Sequence, residues 1–314
     1  MVDREALLYK LLINKIDGKF YNSVKAMYTS TEASVKLNGS LTGWFPCTSG
    51  VKQGDNLSPT LFALFINDLA QELNDLNNGV KIADTHVCCL LYADDIMLVS
   101  ETENGMQQML NHVSQWCNKW QLRVNYAKSA VVHFRNKGTR RSEYNFHIGT
   151  ETIEYVTSYK YLGIILQENL DFNITAETLF SSGGRALGSM ISKIHNFKDV
   201  GFETFSKLYN SCVVPVTDYC SAVWGFRHFN KGDMVQNRAI RYFLGVHRFT
   251  PILAINGDIG WPLSSHRRWT NMIRLWNRLI DMNDERLTKK IFLYDYNRCA
   301  TNSWCSEIKT VFQY

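Results

Sequence analysis

Two adjacent aspartates, Asp94 and Asp95, stand between two apolar runs and constrain this chain more than any other feature. The run Cys88–Tyr92 precedes them and Ile96–Val99 follows them. Each run can form a buried strand, whereas acidic residues are poor strand formers and belong in a turn. The pattern therefore predicts a β-hairpin whose tip carries two carboxylates. A surface turn without function is the alternative, and the flanking apolar runs count against it.

The chemistry of such a tip follows from the repulsion between its carboxylates. Two neighbouring carboxylates are hard to ionise together unless a cation lies between them. Oxygen ligands of this kind suit Mg²⁺, which commonly uses one or two carboxylates plus substrate phosphates. Phosphoryl transfer with two metal ions, and with Asp94 and Asp95 as metal ligands, is therefore the leading chemical hypothesis.

Length and composition exclude several classes of protein. The 314 residues allow two domains, and 45% hydrophobic with 20% charged residues is the composition of an ordinary soluble globular protein. No apolar run approaches the roughly 20 residues of a membrane helix, and no secretory signal opens the chain. We therefore expect an intracellular protein without a membrane partner.

Cysteine usage raises zinc as another metal. The eight cysteines have irregular spacings that form no disulfide framework. Cys212, Cys220 and His228, or Cys299 and Cys305, are conceivable zinc ligands. Neither group has the paired short spacing of a zinc knuckle, so we expect no zinc site.

The charge is distributed unevenly along the chain. The first 169 residues carry 16 Lys and Arg against 17 Asp and Glu, and the remainder carries 18 against 12. A near-neutral part that holds the acids, followed by a basic part, is typical of acidic chemistry beside a module that binds a polyanion, although many basic faces are only solvated. The texture also changes near residue 170, from mixed strands and helices to helices alone. This predicts one domain over 1–169 and a helical one over 170–314.

Local patterns predict the elements that precede the aspartates. Residues 3–16 read as a helix capped by Asp3, and a second amphipathic helix follows from about Phe20 to Tyr28. Asn38-Gly39 supplies the positive φ angles of a type I′ turn, which predicts a hairpin between two short strands.

A glycine-containing loop, Ser49-Gly50-Val51-Lys52-Gln53-Gly54, is the second informative stretch. It leads to Pro59, which suits the first turn of a helix predicted over about 60–73. Such a loop lets backbone approach a sugar or phosphate without a Cβ in the way. The alternative interpretation is a flexible loop without function.

The rest of the chain is predicted from periodicity. A helix is expected over 103–120, an exposed basic loop over 135–141, and short strands over 144–148, 152–156 and 159–166. Helices are then expected over 173–196, 202–213, 216–224, 232–244, 265–282 and 284–293. In the helix over 265–282, Arg267, Arg274 and Arg278 share one face beside an aromatic stripe. A nucleic-acid backbone would use such a face, and a solvated helix face is the alternative.

Four motifs in order resemble those of reverse transcriptases from non-LTR (LINE-type) retrotransposons, over residues 1 to about 170. They are Tyr92-Ala93-Asp94-Asp95, the Ser49–Gly54 loop with Leu57-Ser58-Pro59, Asn125-Tyr126-Ala127-Lys128-Ser129, and Tyr159-Lys160-Tyr161-Leu162-Gly163. The resemblance implies an α+β fold. The palm would be an antiparallel sheet with helices. Its first strand, and the fingers, would be missing. An α-helical thumb and a C-terminal helical region follow the palm.

The resemblance also implies an activity, RNA-directed DNA synthesis, with an RNA template, a DNA primer and deoxynucleoside triphosphates as partners. Asp94 and Asp95 would help to hold two Mg²⁺ ions, and Lys128 would lie near the triphosphate. The implied substrate and template contacts are Ser49, Gly50, Gln53, Gly54, Pro59, Tyr92 and Ala93. The implied primer grip is Tyr161, Leu162 and Gly163. The pathway of the family suggests a nuclear location.

One departure from the family pattern bears on activity. Val2-Asp3-Arg4 matches the tail of a Phe-Asp-x-Val-Asp-Arg-like motif, so a further metal-binding aspartate would fall one residue before Met1. Asp3 itself is better suited to cap a helix. We therefore expect a truncated domain with weak or no polymerase activity of its own. Two alternatives remain open: a non-catalytic RNA- or DNA-binding remnant that uses the basic helical half, and the translation of a decayed element without a role.

Overall fold

The chain crosses between two structural units three times. The computed structural model describes residues 2–136, 138–197, 200–298, 300, 301 and 303–312. Unit 1 extends as far as Val131 and includes Ser142–Tyr155, and unit 2 comprises Val132–Arg141 and the described residues after Tyr155. The division at residue 170 that the sequence suggests stays a prediction.

Unit 1 combines helices with short strands. Its helices are α1 (Arg4–Ile13), α2 (Gly18–Tyr28), α3 (Ser58–Asp75) and α4 (Glu103–Lys119), with a 3₁₀-helix over Tyr126–Lys128. Its strands are β1 (Glu32–Ala33), β2 (Lys36–Leu37), β3 (Ser40–Leu41), β4 (Phe45–Pro46), β5 (Val80–Ile82), β6 (Thr85–Val87), β7 (Cys89–Tyr92), β8 (Asp95–Leu98), β9 (His147–Ile148) and β10 (Glu151–Thr152). They pair as β1–β4, β2–β3, β5–β6, β7–β8 and β9–β10, all antiparallel.

The mixture of helices and small sheets agrees with the α+β class expected from the sequence. An antiparallel palm sheet was also expected, and the strands of the described residues pair as antiparallel two-stranded sheets. The strands in unit 1 are two to four residues long, so each offers few backbone groups to a third strand. The arrangement of a palm and a thumb stays a prediction.

Two local predictions near the start of the chain are confirmed. The Asp3 carboxylate accepts a hydrogen bond of 2.8 Å from the Ala6 backbone N–H and so caps α1. Asn38 and Gly39, with φ angles of 49° and 86°, form the turn between β2 and β3. Both features have local causes. Asp3 accepts a hydrogen bond from a backbone N–H three residues away, and Asn38 and Gly39 bend the backbone at their own positions.

An apolar stripe on α3 organises the core of unit 1. Its side chains recur every four residues and are fully buried: Leu61, Phe65, Leu69 and Leu73. Leucines of α1 and apolar residues of α4 pack against the same cluster. Burying each such side chain contributes about 1.5–3 kcal/mol. The helix that follows the glycine loop is therefore fixed to the core of its unit.

A buried lysine lies within this core. The Lys10 ammonium donates a 2.8 Å hydrogen bond to Asp68 Oδ1 and lies 4.0–4.4 Å from the ring centroids of Phe65, Trp116 and Trp120. Desolvation by burial lowers the pKa of Lys10, although the partner carboxylate opposes this effect. Lys10 thus joins α1 to α3 and α4 through one charge and three aromatic faces.

Unit 2 begins with a hairpin and continues as helices. The hairpin consists of β11 (Ser158–Tyr161) and β12 (Ile164–Gln167). The helices are α5 (Asn173–Ile194), α6 (Phe202–Cys212), α7 (Val214–Thr217), α8 (Ser221–Trp224), α9 (Asn230–Leu244), α10 (Ile252–Ile259), α11 (Ser264–Ile280), α12 (Leu287–Arg298) and α13 (Trp304–Val311). No described helix combines the length and apolar character needed to cross a membrane.

Several sequence-based boundaries in unit 2 were wrong. The single strand expected over 159–166 is the β11–β12 hairpin, because Leu162 and Gly163 take positive φ angles of 47° and 86°. The helix expected over 216–224 is interrupted at Cys220, whose φ angle is 51°. The helices α10 and α13 were not predicted. The conceivable zinc ligand Cys299 lies outside the described residues.

The described part of the basic loop over 135–141 is exposed, as expected, except at its two ends, Arg135 and Arg141. Arg135 and Arg141 bind the two oxygens of the Glu168 carboxylate at 2.8 and 2.7 Å, and both arginine side chains are partly buried. The Arg141 hydrogen bond and the Arg135 charge hold the pKa of Glu168 below its usual value. The open end of the β11–β12 hairpin is thereby joined to this loop within unit 2.

Candidate active site and nucleic-acid interface

The β7–β8 hairpin presents the two aspartates as the sequence predicted. Tyr92 pairs with Asp95 across the hairpin, and Ala93 with Asp94 forms its two-residue tip. Ala93 has a φ angle of 50°, a left-handed conformation that costs an L-residue energy. Both carboxylates are exposed. Among the described residues, neither has a hydrogen bond or an ion pair.

The root of this hairpin is anchored, unlike its tip. The Cys88 thiol, 1% exposed, donates a hydrogen bond of 2.8 Å to Asn74 Oδ1 at the end of α3. Leu91 and Ile96 pack against the core cluster of unit 1. The pKa of the neighbouring Cys89 thiol is raised to about 12, chiefly by burial. The carboxylates therefore extend from a fixed base.

The glycine loop is fastened by a residue that the sequence reasoning missed. Arg4 Nε donates to the Gly50 carbonyl at 3.2 Å, and its Nη1 donates to the Tyr28 carbonyl at 3.1 Å and to the Thr31 hydroxyl at 2.9 Å. The same Nη1 donates to the Cys47 carbonyl. Arg4 belongs to the Val2-Asp3-Arg4 motif, which was the signal available for its role. It fixes the start of the loop to α1 and α2.

Beyond this fastening, the loop opens to solvent. Gln53 and Gly54 are exposed, and Gly54 has a φ angle of 86° with no heavy atom within 4 Å of an added Cβ. Asp55 then accepts a hydrogen bond of 3.0 Å from the Leu57 backbone N–H and turns the chain into α3. Pro59 is exposed at the second residue of that helix, whereas Ser49 and Gly50 are half-buried.

Lys128 ends the short 3₁₀-helix of unit 1 and is exposed. Its backbone N–H donates to the Asn125 carbonyl at 3.0 Å. This bond fixes the backbone of the turn and does not by itself determine where the ammonium group lies. No hydrogen bond or ion pair of the described residues joins Asp94 or Asp95 to this lysine or to Gln53. The roles given to these side chains stay predictions.

The motif Tyr161-Leu162-Gly163 forms the tip of the β11–β12 hairpin in unit 2. The Tyr219 hydroxyl donates a hydrogen bond of 3.0 Å to the Leu162 carbonyl. A Cβ added to Gly163 would lie 2.9 Å from Tyr219 Cε1, so a larger residue there would have to displace the aromatic ring. Near the start of α5, the Thr175 hydroxyl donates to the Ile165 carbonyl at 2.8 Å and accepts from the Ile165 N–H at 3.1 Å.

Tyr219 was missed because nothing in its local sequence identifies its partner. The residue lies 57 positions from Leu162 and follows an unremarkable apolar stretch. Its backbone carbonyl also accepts a hydrogen bond of 2.9 Å from Trp224 Nε1, which is fully buried with its ring. The tip of the hairpin is therefore attached to a fixed part of unit 2.

The three arginines predicted on one face of α11 differ in their surroundings. Arg267 is mostly buried and binds Asp218 through its Nε at 3.0 Å, so its charge is already paired. Arg274 and Arg278 are exposed. Neither has a hydrogen bond or ion pair among the described residues. Burial and an ion pair thus separate Arg267 from the exposed Arg274 and Arg278, and their shared nucleic-acid face stays a prediction.

The chain is similar to known proteins over most of its length. A family described as reverse transcriptase (RNA-dependent DNA polymerase) matches residues 2–166. The RNA-directed DNA polymerase from mobile element jockey of Drosophila funebris is 26% identical over 265 residues, which cover 82% of this chain and 28% of that protein. The Drosophila melanogaster jockey protein is 24% identical over 294 residues, covering 91% and 31%.

A third relative is also an RNA-directed DNA polymerase of a mobile element. The probable RNA-directed DNA polymerase from transposon BS of Drosophila melanogaster is 25% identical over 244 residues, covering 73% of this chain and 26% of that protein. The chain thus spans between 26% and 31% of the length of these curated relatives. The family match covers more than half of the chain and includes the glycine loop, the aspartate hairpin and the tip of the β11–β12 hairpin. The chain therefore belongs to the reverse transcriptase (RNA-dependent DNA polymerase) family, and its relatives are those of non-LTR retrotransposons, as its motifs indicated.

Proposed function

We propose that this chain performs RNA-templated DNA synthesis, as the reverse transcriptase domain of a non-LTR retrotransposon protein. The observation that carries the proposal is the β7–β8 hairpin, where the carboxylates of Asp94 and Asp95 are exposed and have no partner among the residues that the structure describes. Two adjacent carboxylates that the protein leaves uncommitted, on a hairpin with a buried root, suit a ligand of opposite charge. The partners would be an RNA template, a DNA primer and deoxynucleoside triphosphates.

The tip fits a divalent metal ion in the chemistry of its donors. Carboxylate oxygens are ligands that Mg²⁺ prefers, and Mg²⁺ needs only one or two of them when substrate phosphates complete its shell. The described residues contain no cluster of three or more possible metal ligands, so the two aspartates are the donors available. Two bound Mg²⁺ ions would neutralise phosphate charge and activate a primer 3′-hydroxyl.

Other residues would position the substrates. Gly54, with its positive φ angle and open surroundings, would let the loop backbone approach the incoming nucleotide together with Gln53. The Lys128 ammonium would neutralise the triphosphate or donate a proton to the leaving group. The small side chain of Ala93 would leave room for the primer end, and Leu162 with Gly163 would hold the primer strand.

The proposal includes a low rate for the 314-residue polypeptide by itself. The Asp3 carboxylate caps α1 through its bond to the Ala6 N–H, so it is committed away from metal binding. Metals held by Asp94 and Asp95 alone would be poorly positioned, and small misplacements of catalytic groups cost much of the rate.

Primer extension with Mg²⁺, an RNA template and an annealed DNA primer tests the proposal. We expect weak extension that Asp94→Ala reduces to background. Asp84→Ala is a matched control, because Ala83-Asp84 is the tip of the β5–β6 hairpin and Ala83 has a φ angle of 51°, against 50° for Ala93. A melting-temperature titration with Mg²⁺ gives a second readout: the wild type and D84A should gain stability, and D94A should not.

The outcomes separate the proposal from its alternatives. Extension that survives Asp94→Ala would contradict the assignment of the site, and robust extension that D94A abolishes would contradict only the low rate. A chain that binds an RNA–DNA duplex equally with and without Asp94, and never extends a primer, would favour the non-catalytic nucleic-acid binder. The exposed Arg274 and Arg278 are the observation in favour of that second candidate.

A further inference from the structure

The arginines of α11 divide into two that are mostly or fully buried in unit 2 and two that are exposed. Arg267 is paired with Asp218, and Arg268 is fully buried beside the rings of Phe180 and Phe229. Arg268 Nη1 donates to the Ser264 hydroxyl at 3.1 Å. Arg274 and Arg278, by contrast, make no hydrogen bond or ion pair among the described residues. Their charges are therefore available to a ligand.

Arg274 and Arg278 line the same surface cavity. Its volume is about 340 Å³, and its wall is formed by residues of α8, of the turn before it and of α11: Asp218, Cys220, Ser221, Ala222, Asn271, Arg274, Leu275 and Arg278. Because Arg274 and Arg278 are four residues apart on one helix, their side chains lie on one face. Two guanidinium groups consequently flank one opening in unit 2.

The polar groups in the wall leave this cavity positively charged. Asp218 is the one acid among its lining residues, and its carboxylate is 5% exposed, paired with Arg267 at 3.0 Å and hydrogen-bonded by the Thr217 hydroxyl at 3.0 Å. Asn271 Nδ2 donates to the Ser221 hydroxyl at 3.0 Å, which orders the floor. Two unneutralised arginines beside neutral amide and hydroxyl groups favour an anion.

The spacing of the two arginines costs the free protein stability. Like charges one turn apart repel each other and destabilise a helix. An anion bound between the guanidinium groups removes that repulsion and receives bidentate hydrogen bonds, a geometry that arginine offers to phosphate groups in particular. The residues beyond 169, with 18 Lys and Arg against 12 Asp and Glu, add a general attraction for a polyanion.

We propose that the cavity between α8 and α11 binds a backbone phosphate of a nucleic-acid strand through Arg274 and Arg278. The nucleic-acid identity of the anion rests on the proposed function, whereas the anion site itself rests on the cavity. Asp218, Cys220 and Ser221 line it and flank Tyr219, the residue that holds the β11–β12 tip. A strand bound at the cavity would thus contact the same short segment that positions this hairpin.

Equilibrium binding to an RNA–DNA duplex, without Mg²⁺ or nucleotides, tests the proposal. We compare the full chain, Arg274→Ala/Arg278→Ala and the control Arg298→Ala between 50 and 200 mM KCl. Arg298 is an exposed arginine of α12 that lies outside the cavity and has no partner among the described residues. A lost phosphate contact should reduce the slope of log K against log salt by about 1, so the double variant, which loses the one phosphate held by both arginines, should lose about 1.

Three further arms make the result decisive. Arg274→Lys/Arg278→Lys should retain most of the slope, because both positive charges remain. An unchanged slope in the double alanine variant, or an equal loss in R298A, would overturn the proposal. A third measurement is the binding of dTTP or inorganic pyrophosphate to the wild type and the double alanine variant. If the double variant loses this binding and keeps its affinity for the duplex, the cavity binds a free phosphate and the nucleic-acid assignment is overturned. Failure of the wild type to bind duplex at 50 mM KCl would overturn it as well.

This test is independent of polymerase chemistry. A chain that shows the expected change of slope but no primer extension supports the cavity and contradicts the proposed activity. A chain that extends primers with an unchanged slope does the reverse. Melting temperatures of all variants check folding, and the double alanine variant should be as stable as the wild type or more so, because the repulsion between Arg274 and Arg278 is removed.

Discussion

Two β-hairpins of this chain have two-residue tips that are used in opposite ways. The β7–β8 tip, Ala93-Asp94, leaves its side chains exposed, and within the described part of the chain the Asp94 carboxylate has no hydrogen-bond or ion-pair partner. The β11–β12 tip, Leu162-Gly163, gives a backbone carbonyl to the Tyr219 hydroxyl and packs its glycine against the Tyr219 ring. One tip is thus open to a ligand, and the other is held in position by its own unit.

The difference lies in which end of each hairpin is fixed. The aspartate hairpin takes its rigidity from its root, where the buried Cys88 donates to Asn74. The second hairpin is fixed at both ends, by Tyr219 at the tip and by Glu168 at the open end. A tip that must bind a cation has to keep its polar atoms free, whereas a tip that serves as a backbone support can use them.

The largest expected effect is at Gly163. Gly163→Ala should lower the free energy of unfolding by about 1–2 kcal/mol for the left-handed backbone and by roughly a further 1–3 kcal/mol for the contact with Tyr219. Gly39→Ala is the matched control, since Gly39 also has a φ angle of 86° at a two-residue tip but has no heavy atom near an added Cβ. Urea unfolding measures both.

The comparison fails if the two glycine variants lose equal stability. In that case Tyr219 would exert no steric constraint on the tip. A double variant, Gly163→Ala with Tyr219→Ala, sharpens the result, because removing the ring should recover the second part of the loss and leave only the cost of the backbone conformation.

A smaller loss is expected from the Tyr219 hydroxyl. Tyr219→Phe removes the hydrogen bond to the Leu162 carbonyl and keeps the ring, so it should cost about 0.5–1.5 kcal/mol in urea unfolding. Amide hydrogen exchange should rise at the tip and stay unchanged in the β7–β8 hairpin. Exchange that rises equally in both hairpins would show that the hydroxyl does not act locally.

The open end of the same hairpin should respond to pH. The depressed pKa of Glu168 contributes stability that is present above the unfolded-state value of 4.5 and is lost as pH falls through the folded-state pKa. The stability difference between wild type and Glu168→Gln should therefore be constant near neutral pH and shrink below pH 4.5. Glu151→Gln, an exposed residue without a partner among the described residues, is the control and should show no such change.

The smallest stability effect belongs to the aspartate tip. Asp94→Asn should change the free energy of unfolding by less than about 0.5 kcal/mol, because the exposed carboxylate has no partner to lose. In metal-free buffer the change should be slightly stabilising, since repulsion from Asp95 is relieved. A clearly destabilising result, with Asp84→Asn neutral, would mean that the tip is held by its own side chains.

The features that could be predicted from the sequence are those with local causes. The Asn38-Gly39 turn, the Asp3 cap and the Asp94–Asp95 hairpin depend on neighbouring residues and on strand patterning. The Leu162-Gly163 turn was missed because it lies within a mostly apolar and aromatic stretch, Tyr159–Leu166, that reads as one strand.

Other features depend on contacts that no local pattern contains. Arg267 and Arg274 occupy equivalent places on one helix face. Arg267 differs because Asp218, 49 residues before it, and Gln236, 31 residues before it, both accept hydrogen bonds from its guanidinium group. The hydrogen bond from Tyr219 to Leu162 likewise joins residues that are far apart in the sequence. The motifs identified the family, and the site residues that they imply stay predictions. The residues that support those motifs, such as Tyr219, became visible only in the fold.

The crossing of the loop 132–141 into unit 2 also sets an order of events during synthesis. Arg135 and Arg141 meet Glu168, which follows them by 33 and 27 residues. At about 5–20 residues per second, the ribosome needs roughly 2–7 s to add the residues from Arg135 to Glu168. That carboxylate is thus made only after every residue of unit 1, which ends at Tyr155. Until then the nascent chain carries Arg135 and Arg141 without the acid that holds them in the folded protein.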